Sequence, residues 1–568
     1  MYQPVIEFKS GLYFYRGEFI METLRPKLFE VMKHYSKEQL IKDIISGIIV
    51  AIIALPLSIA LAIASGVAPE CGLYTAIIAG FFISFFGGSR VQIGGPTAAF
   101  VVIIYGIVME YQLDGLIVAT ILAGIFLIIM GLCKFGSLIK YIPYTITTGF
   151  TCGIGVSLLV GQFKDFLGLS MGAVPSEFLQ KLNAYAKNIS TVNVTALLVG
   201  LLALAILIIC PKITDKIPGS LVAIIITTLL VKFADLPVNT IGSVYGELSS
   251  ELPLPHLPSV SFAMIQKLIS PAFTIALLAG IESLLSCVVS DGMIGDKHNS
   301  NAELIGQGLG NIFSGLFGGI PATGAIARTA ANVKNGGRTP IAGIVHSITL
   351  LIILLVLMPL AALIPMTSLA AVLIMVAWNM CDWATFLRLA KTAPKSDIIV
   401  LIGTFLLTVI FDLVVAIEVG VVVSALLFMK RMAEVTDIKS WKYVEEPDTP
   451  ADEAEKLLSI PKEIRVFEIS GPMFFAAADH LSKIDSKNYT HVIIIRMRSV
   501  PAIDASAMHS LHNLADRAKK KGIYLVFSHV NSQPMSVMKK DGFYYKIGEE
   551  NFQPDIAAAI EHAKALLE

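Results

Sequence analysis

Long apolar runs, separated by short polar turns, repeat along the chain between residues 44 and 430. A helix needs ~20 apolar residues to cross ~30 Å of hydrocarbon, so these runs predict membrane-spanning helices. They form two sets of seven, which gives fourteen spans. The predicted spans are 44–63, 71–87, 96–110, 114–133, 141–161, 192–210 and 217–233 in the first set, and 268–290, 301–317, 322–336, 340–358, 367–383, 397–411 and 412–430 in the second.

The charges of the turns predict which side each turn faces. Lys and Arg in short loops are retained on the cytoplasmic side of a membrane. If the first span starts inside, the even-numbered turns carry the basic residues, among them Arg90, Lys140, Lys212 and Arg338. The odd-numbered turns are poor in cations or long. The pattern predicts a multi-pass protein of the cytoplasmic membrane with both termini in the cytoplasm.

The third span of each set opens in the same unusual way. "IGGPTAAF" (93–100) opens the first and "GGIPATGAIAR" (318–328) opens the second, and both lead with glycine and proline. An odd number of spans per set places the second copy in inverted topology. Interrupted segments at matching positions in two inverted halves are the best sequence pointer to a transporter's binding site.

The composition changes after Lys430. Residues 431–460 are charged and acidic, and they predict a linker. Beyond it, "IRVFEISG", "HVIIIRM" and "IYLVFSHV" alternate as strands do, whereas "SAMHSLHNLADRAKKKG" and "PMSVMKKDG" indicate helices. The predicted domains are a cytoplasmic N-terminal segment (1–43), a transport domain (44–430), the linker (431–460) and a compact α/β domain (461–568).

Composition narrows the class of protein. The chain of 568 residues is 55% hydrophobic and 15% charged, with a mean hydropathy of +0.74 and no formal net charge. Nucleic acid is not an expected partner, because binding it needs a surplus of basic residues on one face. The chain has no metal-ligand spacing, no phosphate-binding glycine loop and no nucleophile elbow. The sequence therefore predicts no enzyme, no cofactor and no metal.

The two glycine-led openings indicate an anion site. Backbone N–H groups at a helix start lack partners inside the helix, and with the helix dipole they attract anions. Helices starting near Thr97 and Ala325 would meet near the middle of the bilayer. Arg328 adds a full charge one turn later. Its partner is either a bound anion or a carboxylate in a structural pair, from Glu282 or Glu303.

Glu282 lies deep in the first span of the second set, where an ionisable group is a functional candidate. It could carry a proton with the substrate, form a sodium site with backbone carbonyls, or hold a structural ion pair. Glu303, Gln307 and Asn311 share one helix face, and such polar stripes join helices together. His346 is expected to be a hydrogen-bonded core histidine.

These stretches resemble the SulP anion permeases, the bacterial relatives of the animal carriers that include prestin and pendrin. The resemblance covers nearly the whole chain. It rests on "ALPLSIALAIASGVAPECGLYTA" (54–76), "GGPTAAF" (94–100), residues 296–343 and "IRMRSVPAIDASAMHSL" (495–511). It implies an inverted repeat divided into a core and a gate domain, a homodimer, and an anion held between the third and tenth spans. The implied substrate-binding residues are Thr97, Ala98, Ala327 and Arg328, with Ala54, Leu57 and Leu61 from the first span.

The resemblance also bears on coupling and regulation. Glu282 matches an acidic position that is glutamate in proton-linked members and aspartate in sodium-driven bicarbonate carriers, which favours proton over sodium coupling. The C-terminal module resembles the STAS domain of sulfate transporters and anti-sigma-factor antagonists. Ser506 stands where antagonists carry a phosphorylatable serine, but Asp and Ser after a strand are also an ordinary helix start, and Ala507 replaces the glycine common in the antagonists. A cytoplasmic regulatory protein is a possible partner of this domain.

The sequence thus predicts a secondary active anion transporter that moves sulfate or a similar inorganic anion by proton symport, in an elevator-like motion of core against gate. A C4-dicarboxylate or bicarbonate carrier of the same fold is the alternative within the class. The rivals from other classes are an anion channel and a signalling scaffold that the membrane part only anchors.

Overall fold

The structure is a computed structural model, and it describes most of the chain. The described residues are 24–137, 143–213, 218–251, 254–256, 258, 261–410, 413–435, 437–440, 460–474, 484 and 490–568. Residues 1–23 of the predicted N-terminal segment and 441–459 of the predicted linker lie outside this part. The chain forms two compact units, Met1–Val421 and Val422–Glu568.

In the part of the first unit that the structure describes, the regular elements are helices and two short strands. Its helices are α1 (Lys27–Val31), α2 (Lys37–Ala64), α3 (Pro69–Phe86), α4 (Val101–Leu132), α5 (Tyr144–Gly161), α6 (Phe163–Phe166), α7 (Phe178–Asn188), α8 (Val194–Ile213), α9 (Gly219–Phe233), α10 (Ile241–Tyr245), α11 (Phe262–Ile294), α12 (Ser300–Leu316), α13 (Ile326–Lys334), α14 (Ile341–Ala361), α15 (Met366–Cys381), α16 (Trp383–Thr392) and α17 (Lys395–Ile410). Helix α18 (Leu413–Val435) runs from this unit into the second. The strands are β1 (Gly94–Pro96) and β2 (Ala322–Gly324).

Several helices are long and apolar enough to cross a bilayer. Among the described residues eight qualify by length and composition, and Gly219–Phe233 is a shorter apolar helix. The protein is therefore a polytopic α-helical membrane protein, whereas the number of fourteen spans stays a prediction. The predicted division between the third and fourth spans is confirmed, because α4 consists of two helices separated by a non-helical break at Gln112 (φ 59°).

Close helix packing holds the first unit together near the strands. Helix α12 packs along α4 and α3, where small residues bring the backbones together. A methyl group at Gly124 would lie 2.5 Å from the carbonyl oxygen of Gly308. Glycine at both positions is therefore required for this approach, which fixes α12 beside the two strands.

The second unit contains the predicted α/β domain. Its sheet has the strand order β3 (Asp437–Ser440), β4 (Ile464–Ser470), β5 (Val492–Ser499), β6 (Tyr524–Ser528) and β7 (Phe552–Gln553). Strands β4 to β7 are parallel, and β3 is antiparallel to β4. The helices are α19 (Ala505–Lys520), α20 (Ser532–Asp541), α21 (Phe543–Ile547) and α22 (Ile556–Ala565). The predicted strands and helices are confirmed, while β3, β7, α21 and α22 were not predicted.

Candidate anion-binding site

Two short strands join the glycine-led segments of the two halves. Strands β1 and β2 pair antiparallel, with Gly94 opposite Gly324 and Pro96 opposite Ala322. Thr97 caps a short 3₁₀ turn, Ala98–Phe100, that leads into α4, and Ala325 directly precedes α13. Because the ladder spans only ~10 Å, two helix starts are held close together. Their free N–H groups and dipoles make this region attractive to an anion.

Arg328 lies in the first turn of α13 and is 4% exposed. Its Nη2 donates to the carbonyl oxygen of Pro96, the last residue of β1. Its Nη1 lies against the α-carbon of Gly95, where a side chain would collide with it, and Gly95 has a φ of 152°. Nη1 has no hydrogen-bond partner among the described residues. The arginine thus ties the tenth predicted span to the start of the third and keeps one donor unused.

Glu282 lies beside these groups on α11. The hydroxyl of Thr323 in β2 donates to the carbonyl oxygen of Ala279 at 2.8 Å, one turn before Glu282. The Glu282 carboxylate interacts with the Thr97 side chain and electrostatically with the Arg328 guanidinium. Its side chain is partly exposed. The structure therefore brings three predicted site residues together: Thr97, Glu282 and Arg328.

The other predicted substrate residues are small or apolar. Ala54, Leu61 and Ala98 are buried in one apolar cluster, and the first two are at most 1% exposed. Ala327 is exposed. Leu57 is half-buried and lines an apolar cavity of about 860 Å³ between α2, α8, α9 and α15. These side chains can shape the space around an anion but cannot hydrogen-bond to it.

Glu303 does not pair with Arg328. One carboxylate oxygen accepts from the N–H groups of Gly88 and Ser89 at 2.9 and 3.1 Å. The other accepts from the Ser283 hydroxyl at 3.0 Å and the Gln307 amide at 2.8 Å. All four partners are donors, so the arrangement suits an ionised carboxylate. Glu303 joins α12 to α11 and to the loop before β1.

Asn311 holds strand β2 in place. Its amide oxygen accepts from the Ala322 N–H at 2.9 Å, and its amide nitrogen donates to the Ala322 carbonyl oxygen at 2.9 Å. The nitrogen also donates to the Gln307 carbonyl oxygen at 2.8 Å. Asn311 is fully buried. The predicted polar stripe on α12 therefore joins helices and strands as expected, and it acts on the site through β2.

Gln92 was not predicted from the sequence, although it links three elements of the site. Its amide nitrogen donates to the carbonyl and hydroxyl oxygens of Ser283, and its amide oxygen accepts from the Ser286 and Thr329 hydroxyls. Thr329 follows Arg328 and also accepts from the N–H of Ile93 at 3.1 Å. The sequence feature that could have pointed to Gln92 is its position directly before the segment 93–100 that opens the third predicted span.

His346 differs from the expectation. The residue lies in the core, with no exposed surface, but neither ring nitrogen has a hydrogen-bond partner among the described residues. The guanidinium of Arg328 is close enough to act on it electrostatically. The residue is buried as expected, whereas the prediction that it is hydrogen-bonded was wrong.

Asp43 was also missed, since it was assigned to the segment before the first span. It is fully buried, and its carboxylate accepts from the side chains of Tyr35 at 3.0 Å, Gln39 at 3.0 Å and Thr339 at 2.5 Å, and from the N–H of Arg338 at 2.8 Å. Burial and the nearby Asp43 charge raise the pKa of Tyr35 to about 12. Asp43 thereby fixes α2 to the segment that follows α13.

In the second unit, Ser506 lies exposed in the first turn of α19. Asp504 caps this helix by accepting from the Ala507 N–H at 2.8 Å. Ser506 is thus accessible at a helix start, where a phosphate would be electrostatically favoured. Its phosphorylation stays a prediction.

Charge and geometry together define what the site can do. Two helix starts and one arginine favour an anion, and a carboxylate beside them can exchange a proton. Within the described part of the chain, no group of three or more His, Cys, Asp and Glu residues could hold a metal ion.

Comparison with known proteins gives consistent results over most of the chain. The sulfate permease family model matches residues 40–404, and the STAS domain model matches residues 456–559. The putative sulfate transporter YvdB of Bacillus subtilis is 40% identical and covers 92% of this chain and 97% of its own length. The bicarbonate transporter BicA of a Picosynechococcus species is 34% identical and covers 81% of this chain and 84% of its own length.

The fold also matches a solved structure. The inward-facing structure of the murine anion transporter Slc26a9 superposes with a TM-score of 0.87 at 18% identity, covering 100% of both chains. At that identity the likeness concerns the fold. The matched family is one of transporters and not of enzymes.

Proposed function

This chain belongs to the sulfate permease family, and on that premise we propose that it is a secondary active transporter of sulfate or a similar small inorganic anion, coupled to protons. The observation that carries the proposal is that Thr97, Glu282 and Arg328 lie together beside the paired strands β1 and β2. Two helix starts and a buried guanidinium provide positive potential. The apolar side chains of Ala54, Leu57 and Leu61 add no hydrogen-bond donors of their own.

Arg328 contributes to this site in two ways. Its bond to the Pro96 carbonyl fixes the start of the third predicted span, and its unused Nη1 leaves one donor for an anion or a water. A buried, charged donor without a partner is costly, so a bound anion would stabilise the site. The substrate-binding set that we propose is Thr97, Ala98, Ala327 and Arg328, lined by Ala54, Leu57 and Leu61.

Glu282 is the proposed proton carrier. An ionised Glu282 balances the charge of Arg328, while a protonated Glu282 leaves that charge available to the anion. Proton uptake and anion binding then favour each other, which couples their movement. We propose that the loaded core moves against the gate in an elevator-like step. The anion and proton cross the membrane together in that step.

Proteoliposomes that contain the purified full-length chain test the function. Radiolabelled sulfate should accumulate with saturation, and an inward proton gradient should increase the accumulation. A large anion current that does not saturate would instead identify a channel. Unlabelled bicarbonate, oxalate, succinate and fumarate, each added as competitor, identify the substrate class.

Bicarbonate is the second candidate substrate, because one of the similar proteins is the bicarbonate transporter BicA at 34% identity. Both anions suit this site, since helix-start N–H groups and the Nη1 of Arg328, unpartnered among the described residues, attract the negative charge and oxygen acceptors that both anions carry. If bicarbonate removes sulfate uptake at a lower concentration than unlabelled sulfate does, bicarbonate is the preferred substrate.

The remaining assignments concern the arrangement in the cell. We place the protein in the cytoplasmic membrane with both termini inside, as a homodimer. Residues 44–430 would form the transport domain, 431–460 the linker and 461–568 the STAS domain. The STAS domain would bind a cytoplasmic regulatory protein near Ser506.

A further inference from the structure

A partly polar cavity lies along α4, the helix that starts at the candidate site. It has a volume of about 210 Å³ and is lined by residues of α2, α4, α5, α6, α7 and α10 and of the segment between α6 and α7. The lining residues used below are Val101, Tyr105, Lys164, Asp165 and Lys181. One water needs only ~10–15 Å³ of such space, so the cavity has room for a small anion with water.

The cavity lies farther out than the candidate site. Val101 and Tyr105 follow Thr97 by one and two turns, which is ~6 and ~12 Å along the helix. The turns that flank this end of the third and fifth predicted spans are those that the charge pattern assigns to the outside. An anion that enters from outside along α4 would therefore meet this cavity before it reaches Thr97.

Two lysines face the cavity, and they differ in how their charges are balanced. Lys164 lies next to Asp165, which acts on it electrostatically, and its ammonium donates to the Gly172 carbonyl oxygen at 3.0 Å. Lys181 has its ammonium 5.9 Å from the centre of the Tyr105 ring. Burial lowers the pKa of Lys181, and no carboxylate among the described residues offsets that effect. The surplus positive charge of the cavity is therefore on Lys181.

A hydrogen bond joins two sides of the cavity. The Tyr105 hydroxyl on α4 donates to the carbonyl oxygen of Val174 at 2.6 Å, in the segment between α6 and α7. Tyr105 thus bonds to the segment between α6 and α7 and lies beside Lys181.

We propose that this cavity is an outer binding site for a small inorganic oxyanion, in which Lys181 holds the incoming anion before it passes to the candidate site. The role of this site in transport rests on the proposed function, whereas the binding of an anion by Lys181 does not. The ligand is a compact anion, because the cavity has a restricted volume and its lining carries two ammonium groups, Lys164 and Lys181, against the one carboxylate of Asp165.

Chemical protection tests binding without any transport. The purified full-length protein is treated with an amine-acylating reagent in sodium sulfate or in sodium gluconate of equal ionic strength, and modification is followed by mass spectrometry. Sulfate should slow the acylation of Lys181 several-fold and leave Lys187, an exposed lysine of the same helix, unchanged. Equal rates for Lys181 in the two salts would overturn the outer site.

Transport kinetics test the role of the site. Lys181→Gln should raise the KM for external sulfate about tenfold, the loss expected for one charge-assisted contact, with an unchanged maximal rate and unchanged efflux from inside. Lys181→Arg should restore the KM, and Lys187→Gln is the matched control. An unchanged KM in Lys181→Gln, or an equal rise in Lys187→Gln, would contradict the proposal. A wild-type protein that moves no sulfate while Lys181 is still protected would refute the transport function alone.

Discussion

Asn311 offers the sharpest test of how the site is held together. Asn311→Asp exchanges the amide nitrogen for an oxygen and leaves the shape of the side chain unchanged. In the wild-type protein this nitrogen donates to the carbonyl oxygens of Ala322 and Gln307 at 2.9 and 2.8 Å. The new oxygen would face two acceptors in a fully buried position. At ~1–3 kcal/mol for each lost partner, the folded state loses roughly 2–6 kcal/mol.

The measurement is the apparent melting temperature of the purified protein in detergent, together with sulfate binding. Asn311→Asp should lower the melting temperature by several degrees and weaken binding, because β2 leads directly into α13. Asn335→Asp is the control, since Asn335 is exposed and its amide nitrogen donates to the Ala331 carbonyl oxygen of its own helix. The reasoning is refuted if both variants have the melting temperature of the wild type.

Two further substitutions test other contacts of the site. Glu303→Leu should destabilise the protein more than Glu303→Gln in the same melting assay. The glutamine oxygen can still accept from the Gly88 and Ser89 N–H groups, whereas leucine has no acceptor. Equal melting temperatures would contradict this role. Gly95→Ala should reduce sulfate uptake more than tenfold, since the added methyl collides with Arg328 Nη1 and the φ of 152° disfavours alanine. Gly106→Ala, whose methyl would meet nothing within 4 Å, should transport normally, and similar losses in both variants would remove the collision from the explanation.

The sequence identified the main elements of the site because their signals are local. Glycine and proline before an apolar run predicted the helix starts at Thr97 and Ala325, and the structure has helices beginning there. An ionisable residue inside an apolar span predicted Glu282 as a candidate, and its proximity to Arg328 follows from the fold.

Long-range contacts could not be predicted in the same way. The pairing of β1 with β2, and the bond from Arg328 to Pro96, join residues more than two hundred positions apart. Gln92 and Asp43 carry no distinctive motif, and their roles depend on donors that arrive from other helices. For His346 the sequence indicated burial correctly but not the lack of hydrogen-bond partners, which depends on groups that other helices bring to it.

Proton-driven accumulation by Glu282→Gln is the most direct test of the central claim. Glutamine keeps the size of the side chain and its ability to bond to Thr97, but it cannot release or take up a proton. The account predicts that wild-type proteoliposomes concentrate labelled sulfate under an inward proton gradient, whereas Glu282→Gln binds sulfate and equilibrates it without concentrating it. Undiminished accumulation by Glu282→Gln would contradict the account.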